Sequence, residues 1–242
     1  MKLIALDDGH GMETAGKRTP DGSMRENEFN RAVVAKLDVH LRRCGFRTLL
    51  VAPGDNDVPL KQRTDAANAA KADLYISVHA NAFGNGQWND VSGIETYHFP
   101  GSKEGKRLAE IVHKHMVSGT KLPNRGVKTA NFHVLRETNM PAVLVECGYM
   151  TNKGDAVLLK SDAYRSECAE ELARAVCEYY GVPYIEDLPK IQKKVDGYLN
   201  GVPVPVESYL INDMTYVPLR WLVEAMGAEV EWDGTYKIKT RG

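Results

Sequence analysis

Long apolar runs are missing from this chain. Its leucine- and β-branched stretches stop after about five residues, where a bilayer span needs about 18. Charge of one sign is not in excess either. Over 242 residues the net charge is -1, which argues against nucleic acid or an anionic membrane as the main partner, while the short apolar runs argue against membrane insertion. Cysteine is scarce: Cys44, Cys147, Cys168 and Cys177 form no CxxC pair, so neither a thiolate metal knuckle nor a disulfide framework is indicated. Cys168 and Cys177 fall in one helical stretch, about 13 Å apart along its axis, whereas a disulfide tolerates about 7 Å; reduced, buried thiols follow. The N-terminus lacks a secretory pattern, since Leu3–Leu6 runs straight into Asp7 and Asp8. The expectation is a protein made in the cytoplasm without a signal peptide, reaching any outside target only after release.

Short apolar runs and amphipathic helices alternate through most of the chain. Candidate strands are Lys2–Leu6, Phe46–Val51, Asp73–Val78, Ile94–Phe99, Phe132–Leu135 and Pro141–Val145. Candidate helices are Glu26–Arg43, Leu60–Lys71, Ser102–Val117 and Asp162–Tyr180, the last stopped by Gly181 and Pro183. This grammar predicts an α/β fold, a largely parallel twisted sheet flanked by helices. It occupies residues 1–183, with a linker over 184–194. From 195 to 242 the pattern changes to short strands with hairpin signals at Asn200-Gly201 and Asp233-Gly234, and one helix, Pro218–Met226. That predicts a small C-terminal β-rich α+β module.

Three apolar runs end in polar groups suited to metal or proton chemistry. The first runs into Asp7-Asp8-Gly9-His10-Gly11, the second into His79-Ala80-Asn81, the third into Glu146. Ligands of open α/β sheets gather outside the carboxyl ends of strands, so the three point to one site. Catalytic zinc takes three protein ligands and keeps a fourth position open. His10 and His79 supply two, and Glu26 is the candidate third, although Ser23-x-x-Glu26 also reads as a capping box. Glu146 ends an apolar run where a bare carboxylate is expensive; it is either a general base or the partner of Arg125 or Arg136. Cys147 with a histidine base is the competing chemistry, but next to Glu146 on a strand it points to the opposite face. His40, His98, His113, His115 and His133 read as structural.

These residues, with Ile94-Glu95-Thr96-Tyr97, Arg125-Gly126-Val127-Lys128 and Met140–Glu146, resemble the zinc-dependent N-acetylmuramoyl-L-alanine amidases of the amidase-3 type over about residues 1 to 182. The resemblance implies one zinc ion on His10, Glu26 and His79, Glu146 as the catalytic glutamate, and hydrolysis of the amide between N-acetylmuramic acid and L-alanine of the stem peptide by a metal-activated water. Asp8 stands where the family usually has proline. Asn81 and Arg125 are candidate substrate contacts, and Phe83–Asp90 and Asn124–Asn131 candidate groove walls. The C-terminal piece resembles the stalk-type module related to the N-terminal domain of copper amine oxidases, through Leu199-Asn200-Gly201, Tyr216–Arg220 and Gly227–Trp232. Copper is not implied, because no histidine follows His133. Its aromatics, Tyr198, Tyr209, Tyr216, Trp221, Trp232 and Tyr236, suit wall attachment, with dimerisation as the alternative. Bacterial peptidoglycan is therefore the expected partner, and the layout resembles that of a phage or prophage endolysin, a layout that a host enzyme of mother-cell lysis would share. A zinc peptidase acting within the stem peptide and a non-catalytic wall-binding protein are the alternatives.

Overall fold

The computed structural model describes residues 1–186 and, beyond them, seven short strands between Lys193 and Thr240 and the helical residues 222–224. The chain divides into two compact units, Met1–Ile185 and Glu186–Gly242.

In the first unit the order is β1 (Leu3–Asp7), α1 (Glu26–Arg43), β2 (Arg47–Leu50), α2 (Leu60–Ala69), β3 (Leu74–Asn81), β4 (Ile94–His98), α3 (Lys103–Thr120), β5 (Asn124–Thr129), α4 (His133–Arg136), β6 (Ala142–Tyr149), α5 (Lys153–Lys160) and α6 (Asp162–Tyr180). The sheet runs β2-β1-β3-β6-β4-β5. Every neighbouring pair is parallel except β4 with β6. The α/β class and the largely parallel sheet thus hold, with a reversed two-stranded edge. The link from β3 to β4 contains no helix to carry the chain back across the sheet, so β4 returns antiparallel.

One strand differs from expectation. Phe132–Leu135 is not extended: Phe132 precedes the single-turn α4, and the edge strand is β5, which falls within the Asn124–Asn131 candidate groove wall. The physical reason is visible in both sequences. Val134 and Leu135 are adjacent and both buried, which a strand with its two-residue period does not offer, whereas Asn-Arg-Gly-Val-Lys-Thr has no apolar run to announce an edge strand.

The sheet buries its faces unequally. On one, Ile4, Leu6, Ile76, Val78, Val143 and Val145 meet α1, α3 and α6, whose Phe29, Val33, Leu108, Val112, Leu172 and Val176 return every three or four residues. On the other, Leu3, Ala5, Tyr75, Ala142 and Leu144 are covered by the slighter α2 and α4 through Ala67, Val134 and Leu135. Toward the carboxyl ends of β1, β3 and β6 this second face turns polar, with Asp7, Ser77, His79 and Glu146 in the same alternation.

In the second unit β7 (Lys193–Val195), β10 (Ser208–Ile211) and β11 (Met214–Tyr216) form an antiparallel sheet in the order β11-β10-β7. Two further antiparallel pairs are β8 (Tyr198–Leu199) with β9 (Val202–Pro203), and β12 (Ala228–Trp232) with β13 (Tyr236–Thr240). The Asn200-Gly201 and Asp233-Gly234 turns, residues 187–192 of the linker, and all of Pro218–Met226 except 222–224 lie outside the described residues.

Candidate metal centre

Strand register assembles the site. Asp7 stands opposite Ser77, His79 opposite Glu146, and Glu95 opposite Glu146 from the other side. Residues in register share a face, so a row of polar side chains crosses the sheet over β1, β3, β6 and β4.

His10 joins the row from the loop after β1. Its backbone is left-handed, φ 64, and α1 holds the loop in that shape. Asn27 Nδ2 donates to the carbonyls of Asp8 at 3.0 Å and His10 at 2.9 Å, and Asn30 Nδ2 to that of Gly9 at 3.0 Å. Glycine at position 9 is a steric requirement, since a Cβ there would lie 2.3 Å from the His79 ring. The His10 and His79 rings meet edge to face, centroids 5.0 Å apart.

Glu26 is the first residue of α1, but it is not a capping side chain. The cap is Arg25, whose N–H donates to Glu28 Oε2 at 2.6 Å. That removes the Ser23-x-x-Glu26 capping reading and leaves Glu26 turned inward. Its Oε1 accepts from the Ala80 N–H at 3.3 Å and lies 2.9 Å from His79 Nδ1. Its Oε2 is buried with no hydrogen-bond partner, 3.5 Å from His10 Nε2 and 3.7 Å from Lys17 Nζ. One ligand atom each from His10, Glu26 and His79 falls within 4.8 Å of the others. Two imidazoles and a carboxylate oxygen left without a hydrogen bond are the donor set of a divalent transition-metal site, so these residues fit the expected ion.

Electrostatics agree. Burial pushes His10 down to about 4, keeping its lone pair available at neutral pH, despite the opposing pull of Glu26. Burial also works against the charged forms of Glu26 and His79. Their mutual hydrogen bond outweighs it, holding the carboxyl below and the imidazole above their ordinary ranges. Both directions, with the 2.9 Å contact, favour a proton held between the carboxylate and Nδ1. A divalent cation competes for that same position, which is why metal loading of such sites releases protons.

Beneath His79 lies a network that the sequence reading did not single out. Asp7 accepts from Arg63 Nη1 at 2.6 Å, Tyr75 OH at 2.9 Å and Ser77 Oγ at 2.8 Å, and Arg63 and Asp7 are both 1% exposed. With its only proton given to Asp7, Ser77 Oγ is left to accept from His79 Nε2, 3.1 Å away. That fixes the proton on Nε2 and aims Nδ1 at Glu26. Supports of this kind set the tautomer of a metal-ligating histidine, and losing one typically costs about 10–100-fold in affinity. Ser77→Ala is therefore expected to weaken zinc binding by about that factor, read by competition with a chromophoric chelator, with the circular dichroism spectrum unchanged. The usable signal was Ser77 two residues before His79, on the same face; Arg63, far off on α2, gives none.

Glu146 sits beside this cluster, with its Oε2 buried and unpartnered. Burial pushes its carboxyl up to about 8; the His79 charge pulls down and the Glu26 charge pushes up further. It has neither proposed salt-bridge partner. Arg125 Nε is 2.8 Å from Glu95 Oε1, and Arg136 Nε is 2.6 Å from Glu137 Oε1. Glu95 instead gathers the donors: Tyr149 OH at 2.7 Å and Lys128 Nζ on Oε1 with Arg125, Tyr97 OH and Asn81 Nδ2 on Oε2. Although burial alone would raise it, these bonds hold Glu95 ionised down to about 2. Asn81 is also engaged through Oδ1, which accepts from the Ala82 N–H at 2.8 Å, so both ends of that candidate substrate contact are used in holding the structure.

Cys147 faces away from the site, fully buried, with its thiol raised far out of reach of ionisation by burial and by Cys168. The histidine–cysteine reading therefore has no geometry. The Phe83–Asp90 groove wall also differs from expectation. The cavity over His10, His79 and Glu146 is walled by Lys17, Asp57, Leu60, Phe132, His133 and Val134. The Phe83–Asp90 loop is tied instead to Thr151, through Phe83 N–H to Oγ1 at 3.0 Å and Asn89 N–H to the carbonyl at 2.9 Å. His133, read as structural, is thus at the pocket, while His40, His98, His113 and His115 keep structural partners.

Comparisons with known proteins bear on family and fold. The family described as N-acetylmuramoyl-L-alanine amidase matches residues 4–178, and that described as copper amine oxidase N-terminal domain matches residues 194–240. The N-acetylmuramoyl-L-alanine amidase LytC of Bacillus subtilis is 33% identical over 184 residues, covering 74% of this chain and 36% of that protein. The endolysin of Bacillus phage SPP1 is 34% identical over 184 residues, covering 73% of this chain and 65% of that protein. The chain thus spans about a third of one relative and just under two thirds of the other. The catalytic domain of CwlV, an N-acetylmuramoyl-L-alanine amidase from Bacillus (Paenibacillus) polymyxa var. colistinus, superposes with a TM-score of 0.71 at 33% identity, covering 76% of this chain and all of that domain (100%).

Proposed function

The chain belongs to the amidase-3 family of N-acetylmuramoyl-L-alanine amidases, and from that premise we propose that it hydrolyses the amide between the lactyl group of N-acetylmuramic acid and L-alanine of the peptidoglycan stem peptide. One observation carries the proposal: His10, Glu26 and His79 converge within 4.8 Å, while buried oxygens of Glu26 and the adjacent Glu146 are left without hydrogen-bond partners. In this reading His10, Glu26 and His79 hold one zinc ion. Zinc, when bound, polarises a carbonyl and lowers the pKa of water.

The remaining work falls to the chain's own residues. Glu146, next to His79 in register, takes a proton from the attacking water as the carbon–oxygen bond forms. It then delivers that proton to the alanine nitrogen as the carbon–nitrogen bond breaks, giving a lactyl carboxylate and a free amino terminus. Asp7 and Ser77 hold the His79 tautomer through this. The apolar wall of Leu60, Phe132 and Val134 suits the methyl groups that flank the scissile bond on both sides.

The layout proposed is a catalytic domain over residues 1–183, a linker over 184–194, and a wall-attachment module over 195–242. With a phage endolysin among its relatives, the chain is assigned to wall lysis in that manner. No helix among the described residues is long and apolar enough to cross a membrane. Digestion of purified walls followed by mass spectrometry tests the bond cleaved. The expected products are free muramoyl lactyl carboxylates and peptides beginning at L-alanine. Any other new amino terminus places the cut within the stem peptide and makes the chain a peptidase.

A further inference from the structure

The polar row does not stop at Glu146. Glu95 is its register partner on β4, and β5 lies beyond, bringing Arg125 and Lys128 onto the same carboxylate. A single buried carboxylate is neutralised by one cation; here two cations and three neutral donors converge on Glu95, leaving one positive charge in surplus. Nor are the two cations sealed in. The side chains of Arg125 and Lys128 are 34% and 38% exposed. The Arg125 guanidinium lies over the Tyr149 ring, 5.2 Å from its centroid, and interacts with that side chain, while Glu95 is met through Nε. Its two terminal nitrogens form a planar fork of the shape that binds a carboxylate with two hydrogen bonds.

We propose that Arg125 and Lys128 form a carboxylate-binding subsite for an acidic residue of the stem peptide, preorganised by Glu95. This rests on the amidase reading above and says which way the substrate lies. From β6, which carries Glu146, to β5 is two strand spacings, about 10 Å. An extended peptide advances about 3.3 Å per residue, so a stem laid from the scissile bond across β4 presents its second and third residues to the cations. Glycan sugars bearing N-acetyl groups carry no charge to match them, whereas the peptide carries carboxylates. The peptide half of the substrate therefore lies over β4 and β5.

The test uses the full chain and matched N-acetylmuramoyl tripeptides, with carboxylates either free or converted to carboxamides. The double variant Arg125→Gln, Lys128→Gln keeps a donor toward Glu95 at each position but removes both charges. The expected result is an approximately tenfold fall in the ratio of kcat/KM for carboxylate over carboxamide substrate, carried by KM. Arg125→Lys with Lys128→Arg keeps the charges and is expected to hold the ratio within about threefold, which separates charge from packing. A ratio unchanged in the charge-removing variant overturns the subsite while leaving the amidase intact. Wild-type protein that cleaves neither substrate overturns the amidase reading itself, and the subsite with it.

Discussion

Replacing Glu146 by glutamine is expected to reduce kcat on purified walls by about 10²–10⁴, the range that a positioned general acid–base supplies, while KM and zinc affinity stay close to the wild type. The substitution is nearly isosteric and occupies a position where burial already pushes the carboxyl up to about 8, so the fold has little reason to object. It removes the one capacity the reaction needs, taking a proton and returning it. Two alternative roles for this residue predict otherwise. A salt-bridge carboxylate would show itself as lost stability with activity retained, but both candidate arginines are held elsewhere, on Glu95 and Glu137. A fourth metal ligand would show itself as lost zinc affinity. An E146Q protein that keeps a tenth or more of wild-type activity with full metal content would remove Glu146 from the chemistry.

What the sequence could disclose about this site follows a physical line. His10, His79 and Glu146 were legible because each stands at or just after the end of a short apolar run, and the carboxyl ends of strands in this class of sheet meet at one edge. Glu26 was ambiguous for a stated reason: a glutamate in the first turn of a helix has two ordinary uses. Only the geometry, with Glu28 on the Arg25 N–H, assigns capping to the neighbour and frees Glu26. Arg63 and Asp7 were out of reach as a pair, being 56 residues apart with no periodic signal joining them. The edge strand β5 was hidden by its own polarity. Its Arg125 and Lys128 face Glu95 instead of a core, so the alternation that announces a half-buried strand is written there in charged residues. The pocket walls gave no sequence signal because isolated apolar residues at helix starts, Leu60 opening α2 and Phe132 just before α4, do the lining in place of a polar loop.

Removal of the metal is expected to abolish lysis, and zinc added back to restore it, with a thermal shift that reports the site independently of turnover. His10, Glu26 and His79 are ordered around one another without help from a flexible loop, because Asn27 and Asn30 clamp the first and Ser77 orients the last. An ion bound to this folded arrangement and not to the unfolded chain stabilises it by about 4 kcal/mol when zinc is a thousandfold above its Kd. For a unit of this size that is an upward shift in Tm of about 8–16 °C. His79→Ala is expected to lose both the activity and the shift, since it removes a ligand and strands the Glu26 carboxylate in a buried position. Activity that survives exhaustive chelation would require a nucleophile of the chain's own at the pocket. Cys147, the sequence's one rival for that role, is fully buried on the far face of β6, the same strand that carries Glu146.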